Sequence, residues 1–505
     1  MDQQEDIPEF KVVIKSDKLI SVQHTHLPTL ADIKDEEVNL DPLKKSTTLA
    51  LIGMLRDNRL KREIEFEVLG SHLFSTLFYK KDGTLNGIGA ALHTAVDFSR
   101  RSKILRVQLV FESDDIETSL LSKWPWEYLY SPAQSYPAGR PGTFLAKLTR
   151  LVLVRYLPTG SPIRALQVEK PPVKVLFVAA SAKDLPQVQY DSVLEELQDL
   201  EKRSEDTLKV YTLLGDARQA GDDPDAQYAT FDRFLDMLTS IEPHVIHFVG
   251  HGRIHDESGE IAFMHEDGSA HWINEDDFAA NLWDLCRDEL RLVFLQACET
   301  AALSNPYEAV SGVAQQLARM NIPAVVAMQY EVANQIANTF ARAFYGALAD
   351  SKYIDEAVQF GRQKITSAGR AMSNLSYTFT LPVLYMRQPG GLLAPASGIA
   401  SPNRPSTGPV FGGSVPAPGR LCPYCQTPAT SASAKICGNC RAKLICSNCN
   451  EVVRGKLNYC ENCAYSLTYV EDERGAEADQ KTISLRTQLK IQNDRVGLQT
   501  GSERK

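Results

Sequence analysis

Apolar residues recur along this chain at two periods, one suited to strands and one to helices. From Phe10 to about Tyr156, strand-like runs such as Ile104–Phe111 alternate with amphipathic stretches such as Leu69–Phe78, where Leu73, Phe74, Leu77 and Phe78 share a helical face. This stretch reads as an α/β region. Pro171-Pro172 interrupts the pattern and marks a boundary. Beyond it, apolar runs at Val173–Ala179, Leu208–Leu213, Val245–Val249, Leu290–Leu295 and Ala324–Met328 each give way to a polar loop and predict strands. Helices fit between them. Thr230 can cap one carrying Phe231, Phe234, Leu235 and Leu238, and Asn274 one carrying Phe278, Leu282 and Leu285. Pro306 suits the first position of a third, with Val310, Val313, Ala314 and Leu317 turned inward. Such regular alternation predicts a mostly parallel sheet flanked by helices.

The pattern stops near residue 387. From Gln388 to Gly419 the chain is rich in Pro, Gly, Ser and Ala, a linker composition with too few large apolar groups for a core. A cysteine array follows, and beyond Val470 the sequence is polar and mixed in charge. The expected organisation is an N-terminal α/β region over 1–165, a second α/β domain over 166–387, a linker over 388–419, a cysteine module over 420–467 and a polar tail over 468–505. No long-period repeat is present; the only internal repetition is within the cysteine module.

Composition narrows the function classes. With 43% hydrophobic and 23% charged residues the chain is globular, and wholesale disorder is excluded. A formal charge of −9 argues against a protein that binds nucleic acid chiefly by neutralising phosphates. The start, Met1-Asp2-Gln3-Gln4-Glu5-Asp6, is acidic and lacks an apolar signal core, and no run reaches the roughly 18 apolar residues of a membrane span. A cytoplasmic location without membrane partners is expected.

Eight of the ten cysteines form four Cys-x-x-Cys pairs: Cys422 with Cys425, Cys437 with Cys440, Cys446 with Cys449, and Cys460 with Cys463. In a reducing compartment each pair offers two thiolates from one tight turn, and two pairs complete a tetrahedral zinc site. Eleven residues separate the first two pairs and ten the last two, the pattern of a double zinc ribbon with two structural Zn²⁺ ions. Consecutive pairing is favoured, with a cross-braced arrangement as the alternative. Bound metal would supply folding energy that so apolar-poor a segment lacks. Residues 420–465 carry six basic and two acidic side chains, net +4, but two four-thiolate zinc sites would each contribute about −2. With that field cancelled, a protein-docking role, for an activator or assembly partner, is favoured over nucleic-acid binding.

Two predicted strand ends carry reactive groups: His244-Val-Ile-His-Phe-Val-Gly-His251-Gly252 and Leu292-Val-Phe-Leu-Gln-Ala-Cys298. In an open parallel sheet the carboxyl ends of adjacent strands line one crevice, which would bring His251 and Cys298 to the same rim. A cysteine nucleophile needs a nearby imidazole and backbone N–H donors for the oxyanion. Gly250 and Gly252, flanking His251, would let the chain turn sharply, and the N–H groups of Gly252 and Cys298 are the natural donors. Most cysteines at the end of an apolar element are small buried hydrophobes, and Cys286 reads as one. His247 reads as a core histidine or a support for the site. His255, His265 and His271 fall in a predicted hairpin insert and should be solvated.

His-Phe-Val-Gly-His251-Gly followed by Phe-Leu-Gln-Ala-Cys298 resembles the CHAT domain, a branch of the caspase, separase and gingipain group of cysteine peptidases. Trp124-Pro-Trp-Glu-Tyr-Leu-Tyr130 and Phe144-Leu-Ala146 resemble segments that precede the catalytic half in that family, so the likeness covers about residues 60–387. It implies a caspase-like α/β fold with an N-terminal α/β region, and a protein substrate. His251 would be the general base and acid, Cys298 the nucleophile, and the backbone of Gly252 and Cys298 the oxyanion hole. Gln296, in the Gln-Ala-Cys core, and Glu331 would be candidate substrate-binding residues. The likeness also implies regulated activity, in antiviral defence or regulated cell death. Many relatives carry an acidic residue where Ala333 stands, and Glu299-Thr300 replace the residues that follow the nucleophile in caspases, so no P1 preference transfers. Two other readings are an inactive caspase-like scaffold and a nucleic-acid sensor working through the ribbons.

Overall fold

The computed structural model describes residues 7–393 except 28–29, 31–32, 100–103, 113–119, 134–140, 158–165, 205, 217–227, 257, 298–305, 329–333, 351, 372–376 and 388–392. The chain divides into two units, Met1–Arg404 and Pro405–Lys505. All of the second unit lies outside the described residues, and with it the expected zinc ligands Cys422, Cys425, Cys437, Cys440, Cys446, Cys449, Cys460 and Cys463 and the polar tail. Cys298 and Glu331, in the first unit, lie outside them too.

In the first half the elements are β1 (Glu9–Ile14), β2 (Leu19–Thr25), β3 (Glu36–Glu37), α1 (Pro42–Arg56), α2 (Glu63–Phe78), α3 (Gly87–Ser99), β4 (Leu105–Phe111), β5 (Tyr130–Ser131), β6 (Thr143–Phe144) and β7 (Leu151–Tyr156). There follow β8 (Val173–Ser181), α4 (Asp191–Arg203), β9 (Leu208–Asp216), α5 (Phe231–Ile241), β10 (Val245–Gly250), β11 (Gly252–His255), β12 (Ser258–Met264), β13 (Ala270–Asn274) and α6 (Glu275–Cys286). The last elements are β14 (Leu292–Ala297), α7 (Pro306–Arg319), β15 (Ala324–Met328), α8 (Asn334–Ala349), α9 (Ile354–Ala371) and β16 (Pro382–Met386).

An eleven-stranded sheet runs β3-β2-β1-β4-β7-β16-β15-β14-β10-β8-β9. Only β1/β2, β2/β3 and β15/β16 pair antiparallel, so the expected α/β, mostly parallel sheet flanked by helices is the observed fold. Strands on both sides of Pro171-Pro172 share this sheet, because β16 pairs parallel with β7. The strands alternate between two cores. Ile246 and Phe248 of β10 face one, with α5, α6 and α7; Val245 and Val249 face the other, with α4, α8 and α9.

Local chemistry accounts for the helix starts. The Thr230 hydroxyl accepts from the Arg233 N–H (3.3 Å) and the Asn274 side chain from the Asp277 N–H (2.8 Å), each satisfying a donor that the first helical turn leaves open. β14 begins two residues later than the sequence predicts. The reason is that the Leu290 N–H closes the end of α6 on the Cys286 carbonyl (2.8 Å). Leu393, in the expected linker, is buried, and its carbonyl accepts from the Val168 N–H (2.9 Å).

Charged groups also lie inside. The Arg155 guanidinium on β7 forms a two-pronged pair with the Glu127 carboxylate and donates to the Ser122 carbonyl (3.0 Å). Arg362 of α9 donates to the carbonyls of Leu153 (3.2 Å) on β7 and Pro382 (2.8 Å) on β16, stitching the two halves where their strands meet. Burial lowers its pKa to about 10. Among the described residues no helix is long and apolar enough to cross a membrane.

Candidate active site

The site is built at the carboxyl ends of β10 and β14. These strands pair parallel from Val245↔Leu292 to Gly250↔Ala297, so both stop at the same level. His251 is the next residue after β10, and position 298 is the next after β14. Cys298 itself lies outside the described residues.

His251 is almost fully buried, at 1% exposure. Its Nε2 lies 2.8 Å from the Pro186 carbonyl oxygen, on the segment after the neighbouring β8. A carbonyl only accepts, so Nε2 carries the proton and donates it. In the neutral ring, Nδ1 is then the nitrogen able to take a proton from a thiol.

Gly250 departs from its expected role. Its φ lies outside the left-handed region, and a Cβ there would stand 2.7 Å from two carbons of the Phe248 ring. Close packing, rather than a sharp turn, requires glycine at 250.

Gly252 opens β11, the first strand of a small antiparallel sheet ordered β11-β12-β13. The Ala262 N–H donates to the His251 carbonyl at 3.0 Å, while the register places Gly252 opposite Ile261. Bonded and non-bonded pairs alternate in an antiparallel ladder, so Gly252 turns its N–H and C=O away from β12. The Gly259 N–H, opposite Ile254, agrees with this phase: it turns from β11 and donates to Glu275 Oε2 (3.1 Å).

Beneath this rim lies a polar layer. His247 is completely buried, with Nδ1 2.9 Å from the Tyr345 hydroxyl and its ring among Phe177, Phe294 and Tyr345. Desolvation lowers its pKa to about 3, against a smaller opposing pull from Gln296, so it is neutral at ordinary pH. Gln296 is itself buried, and its Nε2 donates to Asn338 Oδ1 at 3.4 Å.

Cys286 is a buried thiol that donates to the Leu282 carbonyl (3.3 Å), and burial raises its pKa to about 12. His255 is exposed, and His265 stacks on His271 at 4.4 Å between centroids. Among the described residues no cluster of three or more His, Cys, Asp or Glu could hold a metal. The Cys-x-x-Cys pairs closed by Cys425, Cys440, Cys449 and Cys463 lie outside that set.

A family model for the CHAT domain matches residues 86–381, more than half of the chain. The chain belongs to the CHAT domain family. No curated protein matches it in sequence. Several solved structures resemble this CHAT chain. One is the Saccharomyces cerevisiae separase–securin complex, 10% identical with a TM-score of 0.39 over 75% of this chain. The match spans only 30% of that chain's length. Others are the Porphyromonas gingivalis RgpB pro- and mature domains (10% identity, TM-score 0.32, 58% of this chain and 68% of that one) and the Drosophila initiator caspase Dronc (9%, 0.26, 41% and 78%).

Sequence reasoning missed the Pro186 carbonyl, because a backbone acceptor has no side-chain signature. Only the adjacency of β8 and β10 brings it to His251.

Proposed function

We propose that this CHAT chain is a cysteine endopeptidase in which His251 and Cys298 act as a dyad. The observation that carries the reading is the shared level of β10 and β14, with Gly250 opposite Ala297 and the two reactive residues next in sequence on adjacent strands. Cys298 would pass its Sγ proton to Nδ1 of His251 while Sγ bonds to the scissile carbonyl carbon. The resulting oxyanion would take the N–H groups of Gly252 and Cys298. Collapse would break the C–N bond, with His251 returning the proton to the departing amine. Water, deprotonated by the same imidazole, would then hydrolyse the thioester. The Pro186 carbonyl fits this cycle because it holds the ring in one orientation and supports Nε2–H when the imidazolium forms.

The four Cys-x-x-Cys pairs have the donor chemistry for two structural Zn²⁺ ions. Cys422, Cys425, Cys437 and Cys440 would hold one, and Cys446, Cys449, Cys460 and Cys463 the other. Residues 420–467 would form a double ribbon that recruits a protein substrate, activator or assembly partner. Zinc there supplies folding energy; no step of the peptide chemistry passes through it. A cytoplasmic location and a role in defence or regulated cell death belong to the same reading.

The test is mass-spectrometric profiling of a diverse peptide library with zinc-loaded wild type, Cys298→Ala and His251→Ala. Cleavage by wild type alone is expected, and the residue before the cut gives the P1 preference. Equal cleavage by Cys298→Ala would rule out the dyad.

A further inference from the structure

Among the described residues β11 is an edge strand, and its outer side begins beside His251. It pairs with β12 on one side, and among the described residues no strand pairs on the other. The hydrogen-bond phase fixed by His251 and Ala262 decides which backbone groups face outward. Those of Arg253 point to Glu260 within the ladder, and those of Gly252 and Ile254 point away from it. Gly252 is buried and Ile254 half-buried, and few side chains of β11 itself stand over this edge. Gly252 has none, and Arg253 is drawn across its own sheet, bonded to Glu260 Oε2 (2.5 Å) and lying over the Trp272 ring at 4.2 Å. Helix α7 packs across β11 and β12 and backs the strand.

We infer that the outward edge of β11 is the docking strand for the substrate segment after the scissile bond, which adds to it in parallel. The inference rests on the dyad reading above, because Gly252 N–H on the P1 carbonyl sets the register. In parallel pairing a residue that donates to the carbonyl of one partner residue accepts from the N–H two positions further on. Gly252 C=O therefore accepts from the P2′ N–H, and Ile254 N–H donates to the P2′ carbonyl. P1′ and P3′ turn their N–H groups away. The substrate is thus an extended protein segment with at least two residues beyond the cut, held by main-chain bonds that tolerate many side chains there.

The experiment takes a decapeptide cleaved by the full-length protein and compares it with versions N-methylated at P2′ or at P3′. A reporter with aminocoumarin directly after P1 serves as the substrate without primed residues. N-methylation at P2′ should lower kcat/KM at least fivefold, the order of one lost hydrogen bond, while methylation at P3′ changes it less than twofold. Ile254→Pro removes the outward N–H at a position where an edge strand accepts proline, and should lower the decapeptide-to-reporter ratio of kcat/KM about fivefold. Equal tolerance of the two methyl groups by wild type overturns the inference and leaves the dyad standing. Cleavage of the decapeptide by Cys298→Ala at the wild-type rate overturns the dyad reading, and the docking strand with it.

Discussion

The carboxyl ends of β7 and β10 show two treatments of a polar group at the end of a buried parallel strand. On β7 the group is Arg155, a permanent cation, closed off by Glu127, the Ser122 carbonyl and the face of the Tyr385 ring. Just past β10 it is His251, an imidazole tied through one nitrogen to a carbonyl. The first arrangement neutralises a charge. The second fixes a tautomer and keeps a proton-accepting nitrogen. One sheet thus carries an end closed by an ion pair and an end where a single carbonyl orients an imidazole.

Exchanging the roles of the two ends gives the largest contrasts. His251→Gln should lower turnover of a library-derived peptide by about 10²- to 10⁴-fold, the usual weight of a general acid–base group, with unfolding free energy within about 1 kcal/mol of wild type. Steady-state kinetics beside urea unfolding would show both. Glu127→Ala should do the reverse at β7. It leaves Arg155 charged in a site of 1% side-chain exposure, and loss of one partner of such a pair costs about 3–5 kcal/mol in urea unfolding. A Glu127→Ala variant as stable as wild type would mean that the pair is neutralised in some other way.

A smaller effect separates the layer under the rim from the rim itself. His247 has a folded pKa of about 3, below its ordinary value near 6.5. Its contribution is therefore fully present above pH 6.5 and is lost as pH falls from there toward 3, since the unfolded chain binds the proton first. The slope is at most about 1.4 kcal/mol per pH unit. Urea unfolding at pH 7, 6 and 5 should show a shallower loss for His247→Phe than for wild type; parallel curves would remove His247 as the cause. Smallest is Tyr345→Phe, which deletes the hydroxyl 2.9 Å from His247 Nδ1 and should cost about 1 kcal/mol.

Much of the second half was legible because its signals are local. Apolar runs gave the strands near 173, 208, 245, 292 and 324, and Thr230 and Asn274 declared their helix starts through capping. The place of His251 just past a buried strand was legible because a Gly-His-Gly segment after an apolar run stands out in sequence. The join of β16 to β7 was not, since it depends on contacts across more than 200 residues. Neither was the Arg155–Glu127 pair, although an arginine in the apolar run Leu151–Tyr156 was a usable sign of a buried partner. Gly250 was misread because a glycine needed for a neighbouring ring looks in sequence like a glycine needed for a turn.

The most direct measurement is the rate of iodoacetamide alkylation at each cysteine of the zinc-loaded protein, followed by peptide mapping in wild type and His251→Gln. Cys298 should react fastest and slow at least tenfold without His251, while Cys286, whose pKa is pushed up to about 12, stays unlabelled in the folded chain. Labelling of Cys298 no faster than Cys286, or at the same rate with and without His251, would contradict the dyad.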